Sequence, residues 1–280
     1  MPRVIDTVSD MQADLPGGRR VVVMTMGALH AGHAALMDLA GELAGDDGEV
    51  VVSIFVNPTQ FGPGEDYERY PRTWDADLAL CEHHGVAAVF APTAEDLYSA
   101  GTDISIDPGP LGTVLEGAVR PGHFRGMLTV VAKLMNIMRP AMAIYGEKDF
   151  QQLALIRRMV ATLNLPVEVV GAPTIRESDG LAMSSRNAYL SAEQRQVASV
   201  IPAATAAAVA AARAGASAAE VVAAAENLLD RTPGVEVDYV AVTDPDFGPA
   251  PQAGPARLLI AAKVGPPRLI DNVPLVLGAP

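Results

Sequence analysis

Short valine-rich runs alternate with longer helical patterns along the first 170 or so residues, and this alternation limits the fold more than any other feature. The runs at 21–25, 50–56, 86–90, 142–145 and 167–170 are apolar at nearly every position, as strands buried on both faces must be. Helical patterns fall between them, around 34–43, 74–84, 127–138 and 150–163. Strand and helix in regular alternation predict an α/β fold, a doubly wound parallel sheet with covering helices.

The pattern changes after Gly171. An alanine-rich helical pair, 192–214 and 218–229, is broken at Gly215 and followed by strand-like runs at 235–242, 257–262 and 268–271. This predicts a smaller α+β C-terminal domain, with boundaries at 1–173 and 174–280. The proline- and glycine-rich stretch 247–255 reads as an exposed loop without chemical interest. Residues 46–49 read as a solvated acidic loop.

A net charge of −13 argues against the broad basic surface that holds nucleic acid, so any anion must be bound locally. One cysteine, Cys81, allows no intrachain disulfide and no cysteine cluster for zinc, which fits a reducing cytoplasm. The first residues lack an apolar signal core, and the longest apolar-looking run is alanine-dominated and contains Pro202. Neither export nor a membrane span is expected.

Chemistry concentrates where strands end. VVVMTMGALHAGH, residues 21–33, is a strand, a glycine turn and two histidines at a helix start, which together build an anion site. Gly27 and Gly32 admit phosphate oxygens close to the backbone, and His30 and His33 add hydrogen bonds; helix capping is the plainer reading. NPTQFG, residues 57–62, sets Asn57 and Gln60 at the carboxyl end of the next strand, where open α/β sheets bind ligands. Turn formation would equally account for Asn57. IYGEKDFQQL, residues 144–153, brings Lys148 and Asp149 to a strand end, with Gln152 on the helix that follows. Ser184, Ser185 and Arg186 offer two hydroxyls and a guanidinium suited to phosphate, whereas Ser191 reads as a helix cap. Arg120, His123 and Arg125 could turn towards an anion or simply line a helix entry. No spacing resembles a protein-built metal cage, so Mg²⁺ would arrive with nucleotide phosphates.

MGALHAGH, FVNPTQFG, GHFRGMLTVVAKL, YGEKDFQQL and AMSSRNAYLS, in this order, closely resemble the pantoate–β-alanine ligase family, with further similarity at RLIDN, residues 268–272. The resemblance implies a Rossmann-like N-terminal domain, a smaller C-terminal domain closing the site, and a cytoplasmic homodimer. It also implies a two-step reaction: ATP and pantoate give an enzyme-bound pantoyl adenylate and pyrophosphate, and β-alanine then displaces AMP. Carried over by position, ATP would be held by Met26, Gly27, Ala28, Leu29, His30, Ala31, Gly32, His33, Gly146, Glu147, Lys148, Asp149, Ile175, Met183, Ser184, Ser185 and Arg186. His33 would act as proton donor, with His30 and Lys148 as its catalytic companions. Gln60 would touch pantoate and β-alanine, Gln152 pantoate, and Asn57 would lie beside them.

Other small-molecule nucleotidyltransferases share the histidine element, and a protein that senses ATP without turnover is the competing non-enzymatic reading. The family usually carries Pro-Thr-Met-Gly where this chain has Met24-Thr25-Met26-Gly27. If the backbone there accepts proline and the Met24 N–H is unpaired, Met24→Pro stabilises the fold by roughly 0.4–1 kcal/mol through lost unfolded-state entropy, the favoured expectation; if that N–H bonds across the sheet, the same change destabilises by more.

Overall fold

The computed structural model describes residues 1–14 and 17–278. They form two compact units, Met1–Glu147 with Gln152–Pro173, and Lys148–Gln151 with Thr174–Pro280. Along the chain to residue 173 the elements are β1 (Arg3–Ile5), α1 (Val8–Ala13), β2 (Arg20–Thr25), α2 (Ala31–Ala44), β3 (Glu49–Ile54), α3 (Trp74–His83), β4 (Ala88–Phe90), α4 (Ala94–Leu97), α5 (Glu116–Val119), α6 (His123–Met138), β5 (Met142–Gly146), α7 (Phe150–Thr162) and β6 (Glu168–Ala172).

The six strands form one sheet in the order β1-β4-β3-β2-β5-β6, every pair parallel. Strand order reverses between β2 and β5, and the carboxyl ends of strands at such a reversal are where open α/β sheets bind ligands. Val21, Val23, Val50, Val52 and Val89 pack with Met37, Ala40 and Cys81 in one core cluster, which explains why these strands carry no polar face. Burial pushes the Cys81 thiol up to about 12, marking it as an inert core residue.

Two features of this unit escape the apolar pattern. β1 is only three residues long, and two of them are exposed. Glu49 opens β3 instead of ending a solvated loop, and it pairs at 2.7 Å with the buried Arg20 guanidinium.

The second unit contains α8 (Ala192–Ala198), α9 (Val200–Arg213), α10 (Ala218–Leu229) and the strands β7 (Val235–Thr243), β8 (Gly254–Val264) and β9 (Arg268–Leu277). These strands form an antiparallel sheet in the order β7-β8-β9. The long helix expected at 192–214 is two helices broken at Ser199. Residues Ala192–Arg213 have the length and hydropathy of a membrane span, but the break interrupts them, and Ile201, Ala204, Ala208 and Ala212 belong to this unit's buried core. Phe247, in the stretch expected to be an idle loop, packs its ring against Phe150 with centroids 5.6 Å apart.

The position of Met24 decides the sign of one substitution. The buried Tyr145 hydroxyl donates to Met24 Sδ at 3.2 Å, and burial pushes the phenol pKa up, so it remains a donor. Proline would remove that acceptor. Stranding a buried hydroxyl costs about 1–3 kcal/mol, more than the roughly 0.4–1 kcal/mol that proline gains through the unfolded chain. Met24→Pro is therefore expected to lower the urea midpoint at unchanged m-value, reversing the sequence expectation. A raised midpoint would mean that Tyr145 finds another acceptor.

Candidate active site

The turn from β2 into α2 has an unusual backbone. Gly27 has φ +80° and Ala28 φ +50°. A Cβ on Gly27 would lie 3.0 Å from an Asp77 carboxylate oxygen and 3.2 Å from Ile54, so glycine is required by both space and conformation. The left-handed Ala28 is held by Asp77, which is only 2% exposed. Its carboxylate accepts from Ala28 N–H at 3.0 Å, from Leu29 N–H at 2.8 Å and from the Thr73 hydroxyl at 2.9 Å. These are charge-assisted bonds in a dry setting, so they fix the turn strongly. Sequence reasoning missed Asp77, because α3 lies far along the chain and only the fold brings it beneath the turn.

His30 and His33 cap α2 reciprocally. His30 Nδ1 accepts from Gly32 N–H at 3.1 Å, and His33 Nδ1 accepts from His30 N–H at 3.3 Å. Their rings lie 4.1 Å apart. The capping reading is correct, and it carries a chemical consequence. A ring nitrogen that accepts a hydrogen bond carries no proton, so this geometry assigns the ring proton of each imidazole to Nε2.

Beyond β3, Asn57 caps the short turn of 3₁₀ helix Pro58–Gln60. Its side chain is 1% exposed and hydrogen-bonded on all sides. The oxygen accepts from Thr59 and from the Tyr98 hydroxyl, and Nδ2 donates to Gly126 O and Gln60 Oε1. Asn57 therefore orients the Gln60 amide: with Oε1 engaged at 3.1 Å, Nε2 is the end turned to Met26 Sδ, also at 3.1 Å. Gly126 lets α6 pack against this turn, since a Cβ there would lie 2.1 Å from Thr59 O.

The GHFRG stretch serves the same residue. His123 Nδ1 donates to Gln60 O at 2.9 Å, and Arg120 donates to His123 Nε2 at 3.2 Å. Arg120 also forms a two-pronged pair with Glu65, while Arg125 pairs with Asp107. Burial first, and the neighbouring Arg120 charge second, push the His123 pKa down to about 4. Gln152 lies in the first turn of α7, within the first unit.

Gly146 and Glu147 also belong to the first unit, and the second unit holds Lys148, Asp149, Ile175 and residues 183–186. Lys148 follows Gly146 and Glu147 at the end of β5, with Nζ 3.7 Å from Asp149. Ile175 O accepts from Met183 N–H at 2.9 Å, closing a hairpin that leads into the Ser184–Arg186 run. Ser184 Oγ accepts from Arg186 N–H at 3.3 Å, so this serine caps a short 3₁₀ helix, just as Ser191 caps α8. Among the described residues no group of three or more His, Cys, Asp or Glu side chains could hold a metal ion.

The profile of the pantoate–β-alanine ligase family matches residues 3–274. The chain belongs to this family. Pantothenate synthetase of Nocardia farcinica is 55% identical over 94% of the chain and 81% of its own length, and that of Salinispora arenicola 52% over 99% of each. A crystal structure of pantothenate synthetase from Thermus thermophilus superposes with TM-score 0.91 at 47% identity, covering 97% of this chain and 98% of that one. The Francisella tularensis pantoate–β-alanine ligase, solved with β,γ-ATP and β-alanine, gives 0.80 at 31% identity, covering 98% and 97%. The chain is thus an ATP-dependent carbon–nitrogen ligase that joins pantoate to β-alanine.

In this ligase His123 links stability to pH. Its folded pKa of about 4 lies below the ordinary 6.5, so between these values the unfolded chain binds the extra proton. The contribution is complete above 6.5 and is lost as pH falls towards 4. His123→Asn keeps a donor for Gln60 O but cannot titrate. The difference in urea midpoint between pH 7.5 and pH 5 should accordingly be larger in the parent than in this variant. Equal differences would place the titrating group elsewhere.

Proposed function

We propose that the ligation proceeds in two steps through a pantoyl adenylate, with the residues above in defined roles. The observation that carries this reading is the reciprocal histidine cap: it presents two Nε2–H donors at the head of α2, beside the strand-order reversal of the sheet. Donors fixed in advance suit a phosphoryl centre whose oxygens gain charge during transfer.

In the first step a pantoate carboxylate oxygen attacks the α-phosphorus of ATP, and pyrophosphate leaves. His30 and His33 donate hydrogen bonds to the phosphoryl oxygens, with His33 as the residue next to the leaving bridge oxygen. Lys148 supplies a point charge to the β- and γ-phosphates. Ser184, Ser185 and Arg186 hold phosphate oxygens, the backbone of Ile175 meets the adenine, and Met26–His33, Gly146, Glu147, Asp149 and Met183 line the nucleotide. With Ala28 and Leu29 N–H already bound by Asp77, the side chains of the motif carry the anion recognition here. Gln60 turns its Nε2–H₂ towards an oxygen of pantoate, and Gln152 binds the same substrate. Asn57 acts by orienting Gln60 and not by touching substrate.

In the second step the β-alanine amine attacks the adenylate carbonyl and AMP leaves. A carboxylate does not acylate an amine until its oxygen becomes a good leaving group, which is what the first step achieves. No protein nucleophile takes part. Mg²⁺ would be held by the triphosphate oxygens beside Lys148, where it would supply charge neutralisation. A homodimer in the cytoplasm completes the reading, supported by the family resemblance and by the free, buried Cys81.

Pantoate-dependent exchange of labelled pyrophosphate into ATP should occur with β-alanine absent. Exchange that strictly requires β-alanine would rule out the stepwise scheme. Lys148→Ala should slow this exchange on the order of 10²-fold, the size typical of losing one preorganised charge donor. Preformed pantoyl adenylate should still react with β-alanine; equal loss in both half-reactions would show that Lys148 has a different role.

A further inference from the structure

The RLIDN stretch has no role in the chemistry above, yet its last two residues reach both nucleotide segments of the second unit. Asp271 and Asn272 are neighbours on β9. Asp271 has a side chain 1% exposed and forms a two-pronged pair with Arg176, at 2.7 and 2.8 Å. Arg176 follows Ile175, and its guanidinium also donates to Gly180 O at 3.0 Å, across the hairpin that precedes Met183. The Asp271 carboxylate further accepts from Asn272 N–H at 2.7 Å.

Asn272 is buried and its amide is engaged at both ends. Oδ1 accepts from Arg257 Nε at 2.7 Å, and Nδ2 donates to the backbone carbonyl of Lys148 at 2.7 Å. Arg257 in turn stacks over the Phe150 ring at 3.7 Å, two residues beyond Lys148. The chain around Lys148 is therefore gripped twice from the antiparallel sheet, once at its carbonyl and once at Phe150. A lysine has four rotatable bonds, so an ammonium that meets a phosphate with little entropy loss needs a fixed starting backbone.

We infer that Asn272 is a positioning residue that sets the Lys148 backbone for the triphosphate, and that Asp271, through Arg176, sets the Ile175–Met183 hairpin for the nucleoside. The inference rests on the phosphate role given to Lys148 under Proposed function. It gives the adjacent Asp-Asn pair on one strand a purpose. The carboxylate answers a guanidinium, and the amide accepts from Arg257 on its oxygen while donating to the Lys148 carbonyl from its nitrogen.

The test is calorimetric binding of MgATP and of AMP to the whole protein, joined to pyrophosphate exchange. Asn272→Asp keeps an acceptor for Arg257 but cannot donate to Lys148 O; Asn272→Ala removes both bonds without adding charge. Each should weaken ATP tenfold or more and AMP less than twofold. Asp271→Asn, which loses the ion pair, should weaken ATP and AMP by similar factors. In the Lys148→Ala background, Asn272→Asp should weaken ATP no further, because its effect runs through Lys148.

Loss of AMP and ATP in equal measure with Asn272→Ala would mean general damage to the fold and would overturn the inference. So would an additive double variant, which points to charge repulsion alone. If Lys148→Ala itself leaves the ATP-to-AMP ratio unchanged, the phosphate role falls and the inference with it. If Lys148→Ala lowers that ratio and the Asn272 variants do not, only the inference fails.

Discussion

Asp77 sits beneath the first turn of the nucleotide motif, and the geometry of everything above it follows from that buried charge. A helix start leaves backbone N–H groups without partners. In a simple anion site those groups would face phosphate. Here Ala28 and Leu29 donate inward to the carboxylate, and Gly32 and His30 donate to imidazole nitrogens. The inner donors hold a left-handed alanine in place and so fix the direction in which α2 leaves the sheet. In the proposed reading it is the side chains of the two histidines that meet the substrate. The turn is thus a rigid mount for side chains, and the backbone cradle expected from the glycine pattern is largely occupied from within.

Gln60 is supported in the same manner from a different direction. Its backbone carbonyl accepts from His123, its side-chain oxygen accepts from Asn57, and Asn57 is in turn fixed by Tyr98 and Thr59. His123, between an arginine donor and a carbonyl acceptor, is held neutral chiefly by its burial and then by the Arg120 charge, which together keep its pKa low. An amide is nearly symmetric in shape, so a site that must tell donor from acceptor has to fix which end points outwards. The chain commits polar groups that follow β3, α4 and α5, and one that opens α6, to that single distinction.

Much of this arrangement could be read from the sequence, because parallel strands buried on both faces leave long apolar runs and because ligands meet such sheets at strand ends. His30, His33, Gln60 and Lys148 all stand soon after such a run. The supports were not legible. Asp77 and Asn272 act across large sequence separations, and each looks like an ordinary surface residue in its own segment. Arg120 and His123 advertise positive charge, but packing turns them towards Glu65 and the Gln60 carbonyl. Phe247 was hidden by its glycine- and proline-rich setting, and the break at Ser199 by the high helix propensity of the alanines around it. Those same alanines become intelligible in the fold: Ala204, Ala208 and Ala212 repeat every four residues and form the buried stripe of α9.

For the histidines and for Ser184, capping and chemistry are a single arrangement and not competing explanations. A cap residue must accept a hydrogen bond from a backbone N–H. An imidazole that accepts on Nδ1 keeps its proton on Nε2, and a serine that accepts on its lone pair keeps its hydroxyl hydrogen. In each case the structural bond uses an acceptor atom and not a donor. Donors are what an anionic substrate needs, and donors whose acceptor side is already tied down lose little freedom when it arrives. The anion recognition proposed for these helix starts would therefore run through the side chains that cap them, with direction set by the bond made inward.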